Sequence, residues 1–153
     1  MPFDDYRIRN QTVEAETDWR YCFPTVNTHQ ERSTIEHAKK SYLYLFDVPS
    51  NLEGDLLGAN HCTDNNFEFG WPVINKWHGK EEEVLSRIMM SYWASFARTG
   101  NPNDANTDVE WKSFDVKYRN FMRFDFNLVE NMDYMRDRHT ASWLDLVQPI
   151  ENL

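Results

Sequence analysis

The sequence predicts an α/β fold in which few strands are flanked by helices, and three segments carry that prediction. Residues 41–47 are aromatic and apolar without alternation, as expected of a strand covered on both faces. From Val84 to Ala97, apolar residues recur every three or four positions, which is typical of a long amphipathic helix. Residues 120–126 alternate imperfectly between apolar and polar side chains, so they predict an edge strand.

The first third of the chain predicts a loop followed by helical segments. Residues 1–16 are polar and show no period, which predicts a loop. Asp18 suits a helix N-cap, because its carboxylate can accept hydrogen bonds from the backbone N–H groups of a first turn. Pro24 predicts a kink or break, and residues 29–39 predict a polar helix. One apolar helix face is predicted from Trp19, Cys22, Phe23 and Val26.

Two helices are predicted in the second half. Glu81–Glu83 begin the long helix, where acidic side chains complement the helix dipole, and Gly100 is expected to cap its end in the left-handed conformation. A last helix is predicted over residues 132–146. The apolar anchors expected in this half are Trp111, Phe114, Trp143 and Leu146.

Composition excludes several classes of function. The 153 residues carry a net charge of −9, which argues against duplex nucleic acid as a partner. Two cysteines are too few for a disulfide framework or a structural zinc site, and no apolar run reaches the length of a membrane span. The N-terminus lacks the basic and apolar blocks of a signal peptide, and the sequence implies no cofactor.

The run from Gly58 to Gly70 contains the candidate site. A titratable imidazole, His61, follows the strand-like segment on a loop, which is where α/β enzymes keep a catalytic base. The alternative is a loop histidine that hydrogen-bonds to backbone. A metal site of His61, Cys62 and Asp64 is disfavoured, because the three lie too close in sequence to converge and no fourth ligand is evident. Cys62 is also a poor nucleophile for His61, because sequence neighbours usually point apart.

The chain lacks the sequence signature of a nucleophilic serine. No serine has glycine two residues away on both sides, so the Gly-x-Ser-x-Gly turn that exposes a catalytic hydroxyl is absent from the sequence. No glycine-rich segment is present that could supply oxyanion-hole amides.

Two ordered motifs resemble the type-B carboxylesterase and cholinesterase family. Gly58-Ala-Asn-His61-Cys-Thr-Asp64-x-x-Phe67-x-Phe69-Gly70 is similar to the family's catalytic-histidine motif. The stretch from Leu85 to Asn103, which ends in Thr-Gly-Asn-Pro-Asn, is similar to the helix and cap that follow that histidine. The other matching features, in order, are Thr17-Asp18, Pro24, Tyr42–Phe46, Trp111 and Trp143.

The resemblance implies an α/β-hydrolase fold more than three times this length. Residues 1–153 are then expected to be its C-terminal portion, an incomplete domain that carries the histidine of a Ser-His-acid triad, with the serine and the acid upstream. His61 would be the general base for hydrolysis of a small-molecule carboxylic ester. Asp64 would brace the loop rather than act as the triad acid. As an isolated fragment the chain is expected to be inactive.

Two departures from the family pattern affect these expectations. Cys62 stands where the family usually has glycine, so its side chain restricts the backbone of the histidine loop. The C-terminal cysteine of several relatives falls at about Thr140, which leaves Cys22 as a buried thiol.

The partners that the resemblance implies are an ester substrate and the missing N-terminal part of the same fold. The alternative is a non-catalytic adhesion or interaction module with this fold, in which the helices near Trp19 and Trp143 would be partner or homodimer surfaces. Secretion is implied by the family alone. A free-standing small domain is the third alternative, although two or three strands make a poor sheet with exposed edges.

Overall fold

A computed structural model describes residues 5–49, 59, 61–74, 79–103, 107–126 and 128–133, with backbone only for residues 5–10 and 128. The chain divides into two compact units. The first comprises residues 1–41, 114–119 and 133–153, and the second comprises residues 42–113 and 120–132.

The first unit begins with a helix that the sequence did not predict. Helix α1 spans Asp5–Thr17, so the predicted loop over residues 1–16 is wrong from residue 5 onward. Neither glycine nor proline interrupts residues 5–17, and Arg, Gln, Glu and Ala there are good helix formers. The helix has no apolar stripe, and hydrophobic periodicity therefore gave no signal for it.

The helical backbone continues past Thr17 instead of starting again at Asp18. Asp18–Cys22 form a π-helical turn, in which the Phe23 N–H donates to the Asp18 carbonyl. The predicted N-cap at Asp18 is therefore wrong: this buried residue lies inside a continuous helical run, where a first turn does not need capping. Pro24 follows the π-helical turn directly, at the second residue of α2, Phe23–Ser33, and the helical run continues through it, so the helix is not broken there.

The rest of the first unit differs from the prediction in length and in the helix face that is buried. Helix α2 ends at Ser33 rather than near residue 39, and His37 in the turn beyond it has a positive φ of 63°. Cys22 and Val26 are buried as predicted, but Trp19 is 49% exposed. In the π-helical turn the hydrogen bonds join residues five apart instead of four, which changes the spacing of side chains around the helix and takes Trp19 out of the predicted stripe.

The second unit contains a three-stranded sheet of order β1-β2-β3. Strand β1, Tyr44–Phe46, pairs in parallel with β2, Phe121–Asp125, and β2 pairs antiparallel with β3, Leu128–Met132. The predicted strand at residues 41–47 is confirmed over a shorter length, and its residues 44–46 are half-buried.

Strand β2 is central among the described strands, so its prediction as an edge strand is wrong. Phe121, Met122 and Phe124 are buried. Strand β3 was not predicted, because its Glu130 and Asn131 interrupt the apolar pattern; Met132 ends this strand and does not begin a helix. The remainder of the predicted last helix, with Trp143 and Leu146, lies outside the described residues.

The long helix confirms its prediction and forms the core with the sheet. Two short helices, α3 at Thr63–Glu68 and α4 at Trp71–Ile74, precede it. Helix α5 spans Lys80–Thr99 and ends at Gly100, whose φ of 73° and N–H bond to the Phe96 carbonyl make the predicted left-handed cap. Trp111 is buried as predicted, and its indole N–H donates to the Leu43 carbonyl. Five aromatic rings surround Trp111 with ring centroids within 6.1 Å of its own, those of Tyr42, Tyr44, Tyr92, Trp93 and Phe124.

Candidate functional site

His61 lies on a turn that leads directly into helix α3, which spans Thr63–Glu68. His61 is exposed, and its place outside helices and strands agrees with the loop position that the sequence predicted. The side chain is therefore accessible to a reactant or to another polypeptide, and it is not enclosed among hydrocarbon side chains.

Cys62 adopts the left-handed conformation, with φ 68° and ψ 0°. This region favours glycine, because a Cβ atom crowds the following carbonyl there and costs about 1–2 kcal/mol. The family motif usually has glycine at this position. The backbone of this chain has the conformation that favours glycine there, although the residue is Cys62. The turn that follows His61 has a defined and strained geometry.

Helix α3 is attached to strand β1 by a side-chain cluster close to His61. The Tyr44 hydroxyl is 2.8 Å from Asp64 Oδ2 and 3.1 Å from Glu68 Oε1. Asp64 is three residues after His61 and lies in the first turn of the helix. Its bond to Tyr44 joins the first turn of α3 to strand β1.

The C-terminal part of α3 is held by the core. The Ser86 hydroxyl of α5 donates a 2.7 Å bond to the Phe67 carbonyl, and the Phe67 ring is buried 5.0 Å from that of Phe46. Gly70 follows with φ 77°, and a Cβ there would lie 2.7 Å from the Met90 sulfur. Because α3 is fixed at both ends, the position of the His61 turn is set by the strand and the long helix.

Burial and charge shift two groups of the cluster. Burial, then the hydrogen bond to Asp64 and the nearby carboxylates, raises the pKa of Tyr44 far above its ordinary value. Burial also raises the pKa of Glu68, and the charge of Asp64 adds to this, while the hydrogen bond with Tyr44 opposes it. Tyr44 therefore remains a protonated phenol under all ordinary conditions.

Two cavities lie along α5, and His61 lines neither of them. One of about 320 Å³ includes Ile88 and Asp125, and one of about 160 Å³ includes Tyr42 and Trp111. Among the described residues, no three His, Cys, Asp or Glu side chains are grouped so as to hold a metal ion. Within the same residues, no helix combines the length and apolar content that a bilayer crossing requires.

The comparison with known families decides where the chain belongs. The model of the carboxylesterase family matches residues 3–143, which is nearly the whole sequence. The chain belongs to the carboxylesterase family. The resemblance predicted from the His61 motif and the long helix is thereby confirmed.

The similar proteins include a lipase, a fatty acyl-CoA hydrolase precursor and an acetylcholinesterase. The chain is 26% identical over 145 residues to the bile salt-activated lipase of Bos taurus, covering 90% of this chain and 24% of the lipase. It is 28% identical over 148 residues to the medium-chain fatty acyl-CoA hydrolase precursor of Anas platyrhynchos, covering 94% and 26%. It is 51% identical over 70 residues to the acetylcholinesterase of Danio rerio, covering 44% and 11%. The chain spans about a quarter of the length of the curated relatives that it matches first.

Sequence reasoning located His61 but not the groups that hold its turn. Tyr44 and Glu68 were not singled out, although the spacing of Asp64 and Glu68 by four residues was a usable signal. In the sequence, Phe67 and Phe69 stand two residues apart as in a strand, but Phe67 and Glu68 belong to helix α3 and Phe69 follows it: Phe67 is buried and Phe69 is 80% exposed.

Proposed function

We propose that this chain supplies His61 as the general base of a carboxylic ester hydrolase, and that the serine nucleophile and triad acid come from polypeptide outside these 153 residues. His61 would take the proton from the serine hydroxyl as it attacks the ester carbonyl. It would then return that proton to the departing alcohol. Family membership supports the ester-hydrolase class, and the coverage of the relatives supports the need for a further segment.

The observation that carries the proposal is the exposed imidazole on a fixed turn. A general base must come within hydrogen-bonding distance of the proton that it takes, which demands a defined backbone as well as access. The His61 turn provides access through its exposure. Its position is fixed because α3, the helix that follows it, is held by the Tyr44–Asp64 hydrogen bond at one end and by the contacts of Phe67 at the other.

One further observation supports a divided site. No Gly-x-Ser-x-Gly occurs in the sequence. A histidine without a nucleophile has no hydroxyl to activate. We therefore expect the isolated chain to show no hydrolysis of p-nitrophenyl esters above the level of a His61→Asn variant.

A chimera tests the role of His61 directly. The segment of the bovine bile salt-activated lipase that aligns with this chain is replaced by the chain itself, and hydrolysis of p-nitrophenyl butyrate is measured. His61→Asn should lower kcat by about 10²-fold or more with little change in KM, since a general base acts in the transition state.

His37 provides a matched control for this assay. Its side chain is 90% exposed and its φ is 63°, a conformation that asparagine tolerates, so His37→Asn removes an imidazole without disturbing the backbone. This variant should keep full activity. Equal activity of the two variants would contradict the proposal. A chimera that melts cooperatively yet hydrolyses nothing would contradict it as well, and would favour the interaction module instead.

A further inference from the structure

Three large apolar side chains are exposed directly after helix α3, the helix that follows His61. Phe69 is 80% exposed, Trp71 is 52% exposed and Ile74 is 75% exposed, and residues 69–74 include no charged side chain. In the part of the chain that the structure describes, no other six-residue stretch has three exposed large apolar side chains. Single exposed apolar residues are normal, whereas a group of them marks an interaction surface. Phe69, Trp71 and Ile74 are here called the Phe69 surface.

The backbone that carries the Phe69 surface is fixed against α5. A Cβ at Gly70 would lie 2.7 Å from the Met90 sulfur, so the backbone packs directly on that side chain. Pro72 of α4 is buried, and the Ile74 N–H donates a 3.2 Å bond to the Gly70 carbonyl. Since Trp71 and Ile74 are three residues apart on α4, they lie on the same face of that helix. The exposed side chains therefore have a defined position.

The Phe69 surface and the His61 turn lie at the two ends of α3. This helix has six residues and is therefore about 9 Å long. A protein interface of ordinary size covers about 800 Å² on each partner, which is an area about 30 Å across. A polypeptide that brings a serine hydroxyl to His61 therefore also reaches the Phe69 surface.

We infer that the polypeptide that carries the serine nucleophile docks on the Phe69 surface, through an uncharged apolar face of its own, and that this contact aligns the serine with His61. The identity of this partner rests on the proposed function. Binding there removes three large side chains from water, and tryptophan is one of the residue types that dominate binding energy. The bovine lipase, of which this chain matches 24%, shows how much further polypeptide a relative contains.

Two other occupants fit the Phe69 surface less well. A second copy of this chain would also cover the His61 turn, because only about 9 Å of helix separates the two, and it would leave a serine no access to the imidazole. An anionic lipid surface is disfavoured by the net charge of −9.

Hydroxyl-radical labelling, read by mass spectrometry, tests the docking residue by residue. The isolated chain is compared with the chimera in which it replaces the aligned segment of the bovine lipase. Labelling of Phe69 and Trp71 should fall by about fivefold or more in the chimera, since the core of an interface is packed like a protein interior. Unchanged labelling in a chimera that melts cooperatively would overturn the inference. Trp19, which is 49% exposed, is the internal reference, and protection of Trp19 without Trp71 would overturn it as well.

The isolated chain tests the other occupants without relying on the chimera. Trp71 should be labelled equally at every chain concentration. Labelling that falls as the concentration rises, together with a dimer in sedimentation, would show that a second copy is the occupant and would overturn the inference. Protection of Trp71 in the isolated chain by phosphatidylcholine vesicles, at a level equal to that in the chimera, would favour lipid and overturn it too.

Matched isoleucine variants provide a second measurement. Ile35, in the turn after α2, is 62% exposed and serves as the control for Ile74. In the isolated chain, Ile74→Ala and Ile35→Ala should each lower the Tm by less than about 2 °C. In the chimera, Ile74→Ala should lower the Tm by about 2 °C or more, and Ile35→Ala by less than about 0.5 °C. Equal shifts in the chimera would overturn the inference.

These measurements do not use ester hydrolysis, so the two proposals can fail separately. A chimera that protects Trp71 and stays active as His61→Asn would refute the catalytic role of His61 alone. A chimera that loses activity as His61→Asn while Trp71 stays fully labelled would refute the docking surface alone.

Discussion

The Ser86 hydroxyl on α5 donates a 2.7 Å hydrogen bond to the Phe67 carbonyl of α3, and this bond is buried. Ser86→Ala would leave that carbonyl without its donor in a region closed to water. We expect the free energy of unfolding to fall by about 1–3 kcal/mol, measured by urea denaturation. The half-buried Ser91 on the same helix is the control, and Ser91→Ala should change stability by less than about 0.5 kcal/mol. Equal effects would show that the Ser86 bond adds nothing.

The left-handed backbone at Cys62 predicts that glycine is the better residue there. Cys62→Gly relieves the Cβ strain, although glycine also gains freedom in the unfolded chain, so the net gain should be up to about 1 kcal/mol. Cys62→Ala removes the same thiol and keeps the Cβ atom. The difference between these two variants in urea denaturation isolates the strain. An alanine variant as stable as the glycine variant would contradict the argument.

Gly70 and Gly100 share a positive φ but differ in their surroundings. A Cβ at Gly70 would lie 2.7 Å from the Met90 sulfur, whereas nothing lies within 4 Å of one at Gly100. Gly100→Ala should therefore lower the free energy of unfolding by about 1 kcal/mol, through conformational strain alone. Gly70→Ala should lower it by at least about 1 kcal/mol more, because the new methyl group also overlaps Met90.

A double variant separates the two terms at Gly70. Met90→Ala removes the thioether that the new methyl group meets, so Gly70→Ala should be less costly in that background than in the wild type. The four free energies come from the same urea titration. If the two substitutions lower stability additively, overlap with Met90 is not the cause of the extra cost of Gly70→Ala.

The raised pKa of Glu68 predicts a pH-dependent contribution to stability. Below 4.5, its ordinary value, Glu68 is protonated in the folded and the unfolded chain, and its contribution is fully present. That contribution is lost as pH rises through the raised pKa of the folded state. The stability of the wild type minus that of Glu68→Gln should thus decline as pH rises above 4.5. A difference that grows with pH would be the opposite of this expectation.

The sequence predicted those elements that are determined by residues close together along the chain. Helix α5 was found because its apolar residues keep one period over its whole length, and its end was found because Gly100 is the one residue type that reaches φ 73° without strain. Helix α1 was missed for the converse reason. It is stabilised without an apolar stripe, so only residue propensity could have indicated it.

Long-range relationships were beyond the sequence. Tyr44 and Asp64 are twenty residues apart, and nothing in either neighbourhood specifies that one hydroxyl reaches two carboxyl groups. Strand β2 is central because it also pairs with β3, and the residue pattern of β3 does not by itself predict a strand. The position of His61 on an exposed turn was predictable because it follows from chain order, while its role in catalysis stays a prediction.

One strand pairing in the sheet joins neighbours along the chain and the other joins strands far apart along it. This difference affects the order in which the sheet assembles. Strands β2 and β3 are neighbours along the chain, so their antiparallel pairing closes a short loop. Strand β1 is separated from β2 by α3, α4 and α5, so its parallel pairing closes a long one. We expect the hairpin to gain protection early in refolding. Docking of β1, and with it the arrival of Tyr44 beneath the histidine turn, should be the slow and final event.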